Sequence, residues 1–286
     1  MLCRRGGPLE VNEERDMRTP TVDFAHRTPY DEYVGTDVLH ALLRPRTDEP
    51  EEPAFLVTTQ VMELYFGLIR TELELAVRRL DEDDAAGATA VLRRVTRYLG
   101  VLTAAWSALG TLTPPRFNAF REKLGEASGF QSAMYRHVEF LLGNKSEPMT
   151  RPHRGSPETY RELLAALRAP SLYDAVLALL SRSGHPIPAA TLTRDPADPY
   201  EPSPVVEAAW VRVYTELGPG DTLWELAEAL TDVAERFSEW RHRHLMAVRR
   251  TMGAKIGTGG SSGAGWLERT MGRDVFPELW SARTAM

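Results

Sequence analysis

The chain all but lacks cysteine: Cys3 is the only one in 286 residues. A disulfide framework and a cysteine-ligated zinc or iron–sulfur site are therefore excluded within one chain, and a reducing compartment fits best. No apolar run approaches the roughly 20 residues that a membrane helix needs, and the opening stretch MLCRRGGPLEVNEERD lacks the apolar centre of a secretory signal. A cytoplasmic protein that does not engage a membrane is expected. An excess of positive charge is also missing. With 40 acidic against 34 basic residues the net charge is −6, which supplies no broad electrostatic footprint for nucleic acid. No run of four or more residues alternates in the manner of a strand. A helical protein with a small-molecule partner is what remains.

With 43% apolar residues the chain is long enough to bury a large core. Residues 1–27 are polar and arginine-rich and read as a flexible arm; residues 28–286 read as a single all-α domain built on long packed helices. From Phe55 to Leu80 the positions Leu56, Leu64, Leu68, Leu73, Val77 and Leu80 recur at helical spacing, interrupted by Gly67. A second helix is predicted over 84–111, stopped by Thr113-Pro114-Pro115. A third runs from about Arg116 to Leu142, with Gly125 and Gly129 marking a break or a close backbone approach. Residues 143–157 read as a loop, 157–168 and 171–183 as short helices, and 185–204 as a proline-rich connection. Two more helices are predicted at 205–217 and 221–252. The second carries an apolar stripe of Leu223, Leu226, Leu230, Val233 and Phe237.

Of seven histidines, His242 and His244 stand out, because His26, His153 and His185 fall in the arm or in loops. Helical residues two apart point about 200° from one another, so this pair cannot chelate one metal. One of them can still aim into the bundle, and a lone inward imidazole near a long helix end is what axial ligation of haem requires. Glu239-Trp240-Arg241-His242 also has the Glu-x-x-His form of a di-iron bundle, but no other histidine has a glutamate three residues before it. The run Lys255-Ile256-Gly257-Thr258-Gly259-Gly260-Ser261-Ser262-Gly263 fails as a phosphate loop, since its lysine precedes the glycines and no strand leads into it. It reads as a compact loop whose amides and hydroxyls can hold a polar ligand group. Arg121, set among Phe117, Phe120 and Leu124, calls for a carboxylate partner, either in the core or on a substrate.

Several separated motifs occur in a telling order: Tyr30-x-x-Tyr33; Phe55-x-x-x-x-Gln60-x-x-Glu63-Leu64; Phe117-x-x-Phe120-Arg121 running to Ser128-Gly129-Phe130-Gln131-Ser132-x-x-Tyr135-Arg136; and Trp240-Arg241-x-x-His244 running to the glycine-rich loop. Over about residues 28–275 the chain resembles the tryptophan 2,3-dioxygenase family. The resemblance implies an all-α long-helix bundle with haem b in the ferrous state, which inserts O₂ across the indole C2–C3 bond of L-tryptophan to give N-formylkynurenine. It implies His244 as the iron ligand, with His242 outside the site, and Arg121 gripping the substrate carboxylate as a bidentate pair. Thr258 would meet the amino-acid end, Phe55 would pack on the indole, and Ser128 with Gly129 would lie over the haem. A homotetramer is implied, with Tyr30 and Tyr33 completing a neighbouring subunit's pocket.

One departure bears on the chemistry. Thr59 stands where the family usually has a distal histidine that hydrogen-bonds the indole N–H. Its shorter arm leaves space for a water or an indole substituent. Tyr65, Phe66, Gly67 and Val34 also depart from the common pattern. Divergent relatives in secondary metabolism mono-oxygenate an indole to an oxindole. Three readings follow: dioxygenation of tryptophan or a substituted tryptophan, mono-oxygenation of tryptophan or a methylated one, and haem binding without turnover.

Overall fold

The computed structural model describes residues 21–260 and 263–286, so that Cys3, most of the arm and the Ser261-Ser262 pair lie outside the described residues. Among the described residues every regular element is a helix and no strand occurs. The chain divides into two compact units, one ending at Arg44 and one spanning Pro45–Met286.

In the first unit, α1 (Pro29–Val34) and α2 (Thr36–Ala41) are single short turns. Thr28 takes the extended conformation of an N-cap, its hydroxyl accepting from the Asp31 amide at 3.1 Å, and Pro29 supplies the fixed φ of a first turn. Gly35, at φ 66°, ends α1 and leads into α2. The Asp31 carboxylate accepts from the hydroxyls of Thr36 and Thr28, which hold its pKa below the usual value.

The second unit is built on three long helices, α3 (Glu52–Asp81), α4 (Ala85–Ala105) and, later in the chain, one over Thr222–Met252. α3 does not bury the stripe that its leucines suggest. Thr58, Met62, Phe66, Ile69, Leu73, Ala76 and Leu80 face inward, while Leu64 is 64% exposed and Leu68 and Val57 are also exposed. The helix is apolar on two faces, so leucine content alone picks the wrong one in its first half; the stripe that fits α4 includes Met62, Phe66 and Ile69 instead. α4 gives way to a 3₁₀ turn, Trp106–Leu109.

The expected third helix is broken. It becomes α5 (Pro114–Arg121), two 3₁₀ turns at Glu122–Leu124 and Gly129–Gln131, and α6 (Ala133–Leu141). Gly125 adopts φ 60°, ψ −127°, which a side chain strongly disfavours, and Ser128 and Gln131 form a reciprocal capping box that starts the chain afresh. The expected loop after α6 contains a 3₁₀ segment, Glu147–His153. Buried Lys145 satisfies the carbonyls of Ala166 and Ala169 at 2.7 Å each, and its burial lowers its pKa to about 8.

α7 (Pro157–Arg168) and α8 (Leu172–Arg182) make up the most apolar stretch of the chain. Ala169-Pro170 divides it into helices of 12 and 11 residues, each shorter than the roughly 20 residues a membrane span requires. The proline-rich connection holds a short helix, α9 (Ala189–Thr193), and leads to α10 (Pro204–Glu216). α11 (Thr222–Met252) starts where the Asp221 carboxylate caps the amides of Leu223 and Trp224, and its predicted stripe is buried against α4. α12 (Ala264–Met271) and α13 (Pro277–Ala285) close the fold. Glu278 anchors α13 as a buried carboxylate that accepts from the Tyr173 hydroxyl (2.8 Å), the Tyr200 hydroxyl (2.6 Å) and the Ser203 amide (2.8 Å). Three donors on one carboxylate offset its desolvation.

Candidate active site

α11 sorts its two histidines as helical geometry demands. His242 is exposed, while His244 shares a face with Trp240, one turn earlier. The His244 imidazole stacks on the Trp106 indole, with centroids 4.6 Å apart and planes within 8°, and lies 5.8 Å from the Trp240 ring. Part of His244 opens on a cleft, but surrounding protein still disfavours the imidazolium: burial alone lowers its pKa from 6.5 to about 4. At neutral pH the ring is uncharged and has a lone pair to give. No hydrogen bond to its nitrogens is formed by any described residue. Glu239, the other half of the Glu-x-x-His pattern, pairs instead with Arg236 at 2.7 Å.

The cleft is walled by Thr59, Met62, Glu63 and Phe66 of α3, by Gly129, Phe130, Ser132, Tyr135 and Arg136, by Trp106, by Trp240, Arg241 and His244 of α11, and by Trp266, Leu267, Thr270 and Met271 of α12. Its lining is mainly aromatic and aliphatic, as suits a flat apolar ligand. Three of the predicted site residues, Thr59, Gly129 and His244, meet here. Thr59 donates its hydroxyl to the Phe55 carbonyl one turn back (2.6 Å), which leaves its methyl group and oxygen lone pairs for the cleft. Buried N–H groups of Trp106, Trp240, Arg136 (Nε) and Arg241 (an Nη) lack a hydrogen-bond partner.

The other four predicted residues of this unit form an adjoining group. Phe55, one turn before Thr59, packs on Phe117 and Phe120 at 5.7 and 5.6 Å between centroids. Arg121, at the end of α5, donates to the Ile256 carbonyl, and its Nε is buried without a partner. Thr258 donates to the Ala127 carbonyl at 2.6 Å, and Lys255 to the Asn118 side chain at 3.2 Å. Gly259 lies so close over Ser128 that a Cβ there would stand 2.9 Å from the serine Cβ. The glycine-rich loop is thus tied to the segment carrying Arg121 and Ser128. Tyr30 and Tyr33 belong to the first unit, where both are exposed, Tyr33 at 93%.

Sequence reasoning missed Trp106, Phe66, Trp266 and Arg241 as parts of the cleft. Trp240 and Arg241 had a signal, since they lie four and three residues before His244. Trp106 had none, because it reaches His244 from a different helix.

Among the described residues, an all-helical core sets one neutral imidazole without a hydrogen-bond partner at an apolar aromatic cleft, an arrangement compatible with a helical protein that holds a flat apolar cofactor. The family model described as tryptophan 2,3-dioxygenase matches residues 15–286. A tryptophan 2,3-dioxygenase of Pseudomonas fluorescens is 40% identical over 265 residues, covering 93% of each chain. One from Bacillus cereus is 40% identical over 264 residues, covering 92% of this chain and 95% of the relative, and tryptophan 2,3-dioxygenase 1 of Ralstonia nicotianae is 38% identical over 279 residues, 98% and 95%. The chain belongs to the tryptophan 2,3-dioxygenase family, and with it to the oxygen-inserting enzymes.

Proposed function

We propose that the chain is a cytoplasmic haem-dependent oxygenase that inserts O₂ into the indole C2–C3 bond of L-tryptophan or a substituted tryptophan, giving an N-formylkynurenine-type product. The observation that carries this reading is His244, a neutral imidazole without a hydrogen-bond partner at the edge of an apolar aromatic cleft. The cleft fits haem b: it offers one nitrogen ligand, apolar walls and buried donors that call for acceptors. Ferrous haem would supply the activation of O₂ that no side chain provides.

The protein's part is to bind, orient and exclude water. His244 would hold the metal, and the stacked Trp106 fixes the plane of its ring. Phe55 packs on the indole. Arg121 takes the substrate carboxylate, whose oxygens would satisfy the unpartnered Nε and replace or share the Ile256 carbonyl. Thr258 would receive the amino-acid end, and Ser128 with Gly129 would help to hold the haem; Ser128 lies against Gly259 of the loop that carries Thr258. The apolar walls keep water from the reacting atoms. Tyr30 and Tyr33 complete the pocket of a neighbouring subunit in a homotetramer.

A second reading, mono-oxygenation of tryptophan or a methylated tryptophan, rests on Thr59. With its hydroxyl donating to the Phe55 carbonyl, Thr59 keeps its oxygen lone pairs free to accept from an indole N–H, on a shorter arm than a histidine. The test is the product mass from haem-loaded, reduced enzyme given L-tryptophan under ¹⁸O₂, with His244→Ala as control. Two labelled oxygens in N-formylkynurenine and loss of the Soret band in the control are expected. One labelled oxygen establishes the second reading, and a control that keeps the wild-type Soret band refutes the ligand assignment.

A further inference from the structure

Arg241 is a cation in the cleft that the proposed reaction leaves unused and that no carboxylate among the described residues neutralises. It lies three residues before His244 on α11, so both residues line one wall about 4.5 Å apart along the helix axis. The residue is only 6% exposed. One Nη donates to the Arg273 carbonyl at 3.0 Å, the guanidinium stands 5.5 Å from the Phe237 ring, and the other Nη is buried without any partner. No carboxylate among the described residues pairs with it. Arg136, across the same cleft, differs in that Glu139 neutralises it. An uncompensated buried guanidinium is costly, and the remedy is an anion of matching geometry. The cleft's ligand must bring that anion.

We propose that Arg241 pairs with a carboxylate of the bound cofactor, a haem propionate, and so sets the rotation of the macrocycle above His244. This rests on the haem reading above. The substrate carboxylate is the other source of the same chemistry, but Arg121, with its own unpartnered Nε, is already placed for it.

The test is a Soret titration of apo-protein with haem and with haem dimethyl ester, in which both propionates are capped. In the wild type the ester is expected to bind about tenfold or more weakly, the scale of one charge-assisted pair. Arg241→Gln should remove this discrimination, and Arg241→Lys should restore part of it. Equal discrimination in wild type and Arg241→Gln overturns the proposal while leaving the haem reading intact; absence of any haem binding by the wild type overturns both. Loss of tryptophan affinity in Arg241→Gln, with indole affinity and ester discrimination unchanged, assigns the carboxylate to the substrate and overturns the proposal. Arg241→Met separates this role from a structural one, because it deletes an unpaired charge: the melting temperature of the apo-protein should hold or rise while that of the haem-loaded protein falls. A fall of equal size in both contradicts the proposal.

Discussion

At the scale of single residues, two imidazoles two positions apart on α11 behave differently because a helix turns about 100° per residue. That difference was legible without coordinates. The state of Arg121 was not, because its bond to Ile256 spans 135 positions. In the proposed role it exchanges a neutral carbonyl for a charged carboxylate, which is the stronger acceptor. Arg121→Ala is therefore expected to weaken L-tryptophan binding about ten- to a hundredfold and leave indole binding nearly unchanged, as read from titrations of the Soret band. Equal losses for both ligands would remove the carboxylate clamp.

At the scale of elements, the glycine-rich loop behaves as a strap whose described residues are fastened through Arg121 to Ile256, Thr258 to Ala127 and Lys255 to Asn118. Gly259 permits the close approach to Ser128, and a methyl group there would have to displace it. Gly259→Ala should raise KM for tryptophan several-fold by lifting the strap, without loss of haem. Gly67→Ala is the contrast: it sits within α3 with nothing near its added Cβ, and should raise thermal stability by about 0.5–1 kcal/mol with no change in KM. Steady-state kinetics with melting curves on both variants check this pair. The periodicity of α11 was readable because one face only is apolar. α3 was readable as a helix but not by its buried face, because two of its faces are apolar, and the break at Gly125–Ser128 was readable as a position but not as a capping box.

At the scale of the whole molecule, stability should depend on pH through His137. It is buried in α6, facing Arg70 and Glu74 of α3, Glu162 of α7 and His153 of the 3₁₀ segment. Burial, assisted by Arg70, lowers its pKa to about 4. Below about pH 6.5 the unfolded chain takes up a proton that the folded protein refuses, so stability falls as pH drops from 6.5 towards 4 and levels off below. His137→Leu should reduce the slope of unfolding free energy against pH in that window by up to about 1.4 kcal/mol per pH unit, measured by urea denaturation. An unchanged slope would show that His137 takes up protons alike in the folded and unfolded chain. The outward apolar residues Val57, Leu64 and Leu68 fit the proposed homotetramer, since they are exposed among the described residues.

Composition and periodicity by themselves determined an all-α fold without disulfides and showed that His242 and His244 face different ways, because those inferences need only residue types and the angular pitch of a helix; the preference for His244 came from the family resemblance. The order of the separated motifs determined the family. Only the tertiary structure decided that Trp106 stacks on His244, that Arg121 and Thr258 are engaged by carbonyls distant in sequence, that the Thr59 hydroxyl bonds the Phe55 carbonyl beside the cleft, and that Arg241 is buried without a counter-ion. Each of these depends on which faces of α3, α4, α11 and the segment around Ser128 meet, and packing between elements leaves no local pattern in the chain.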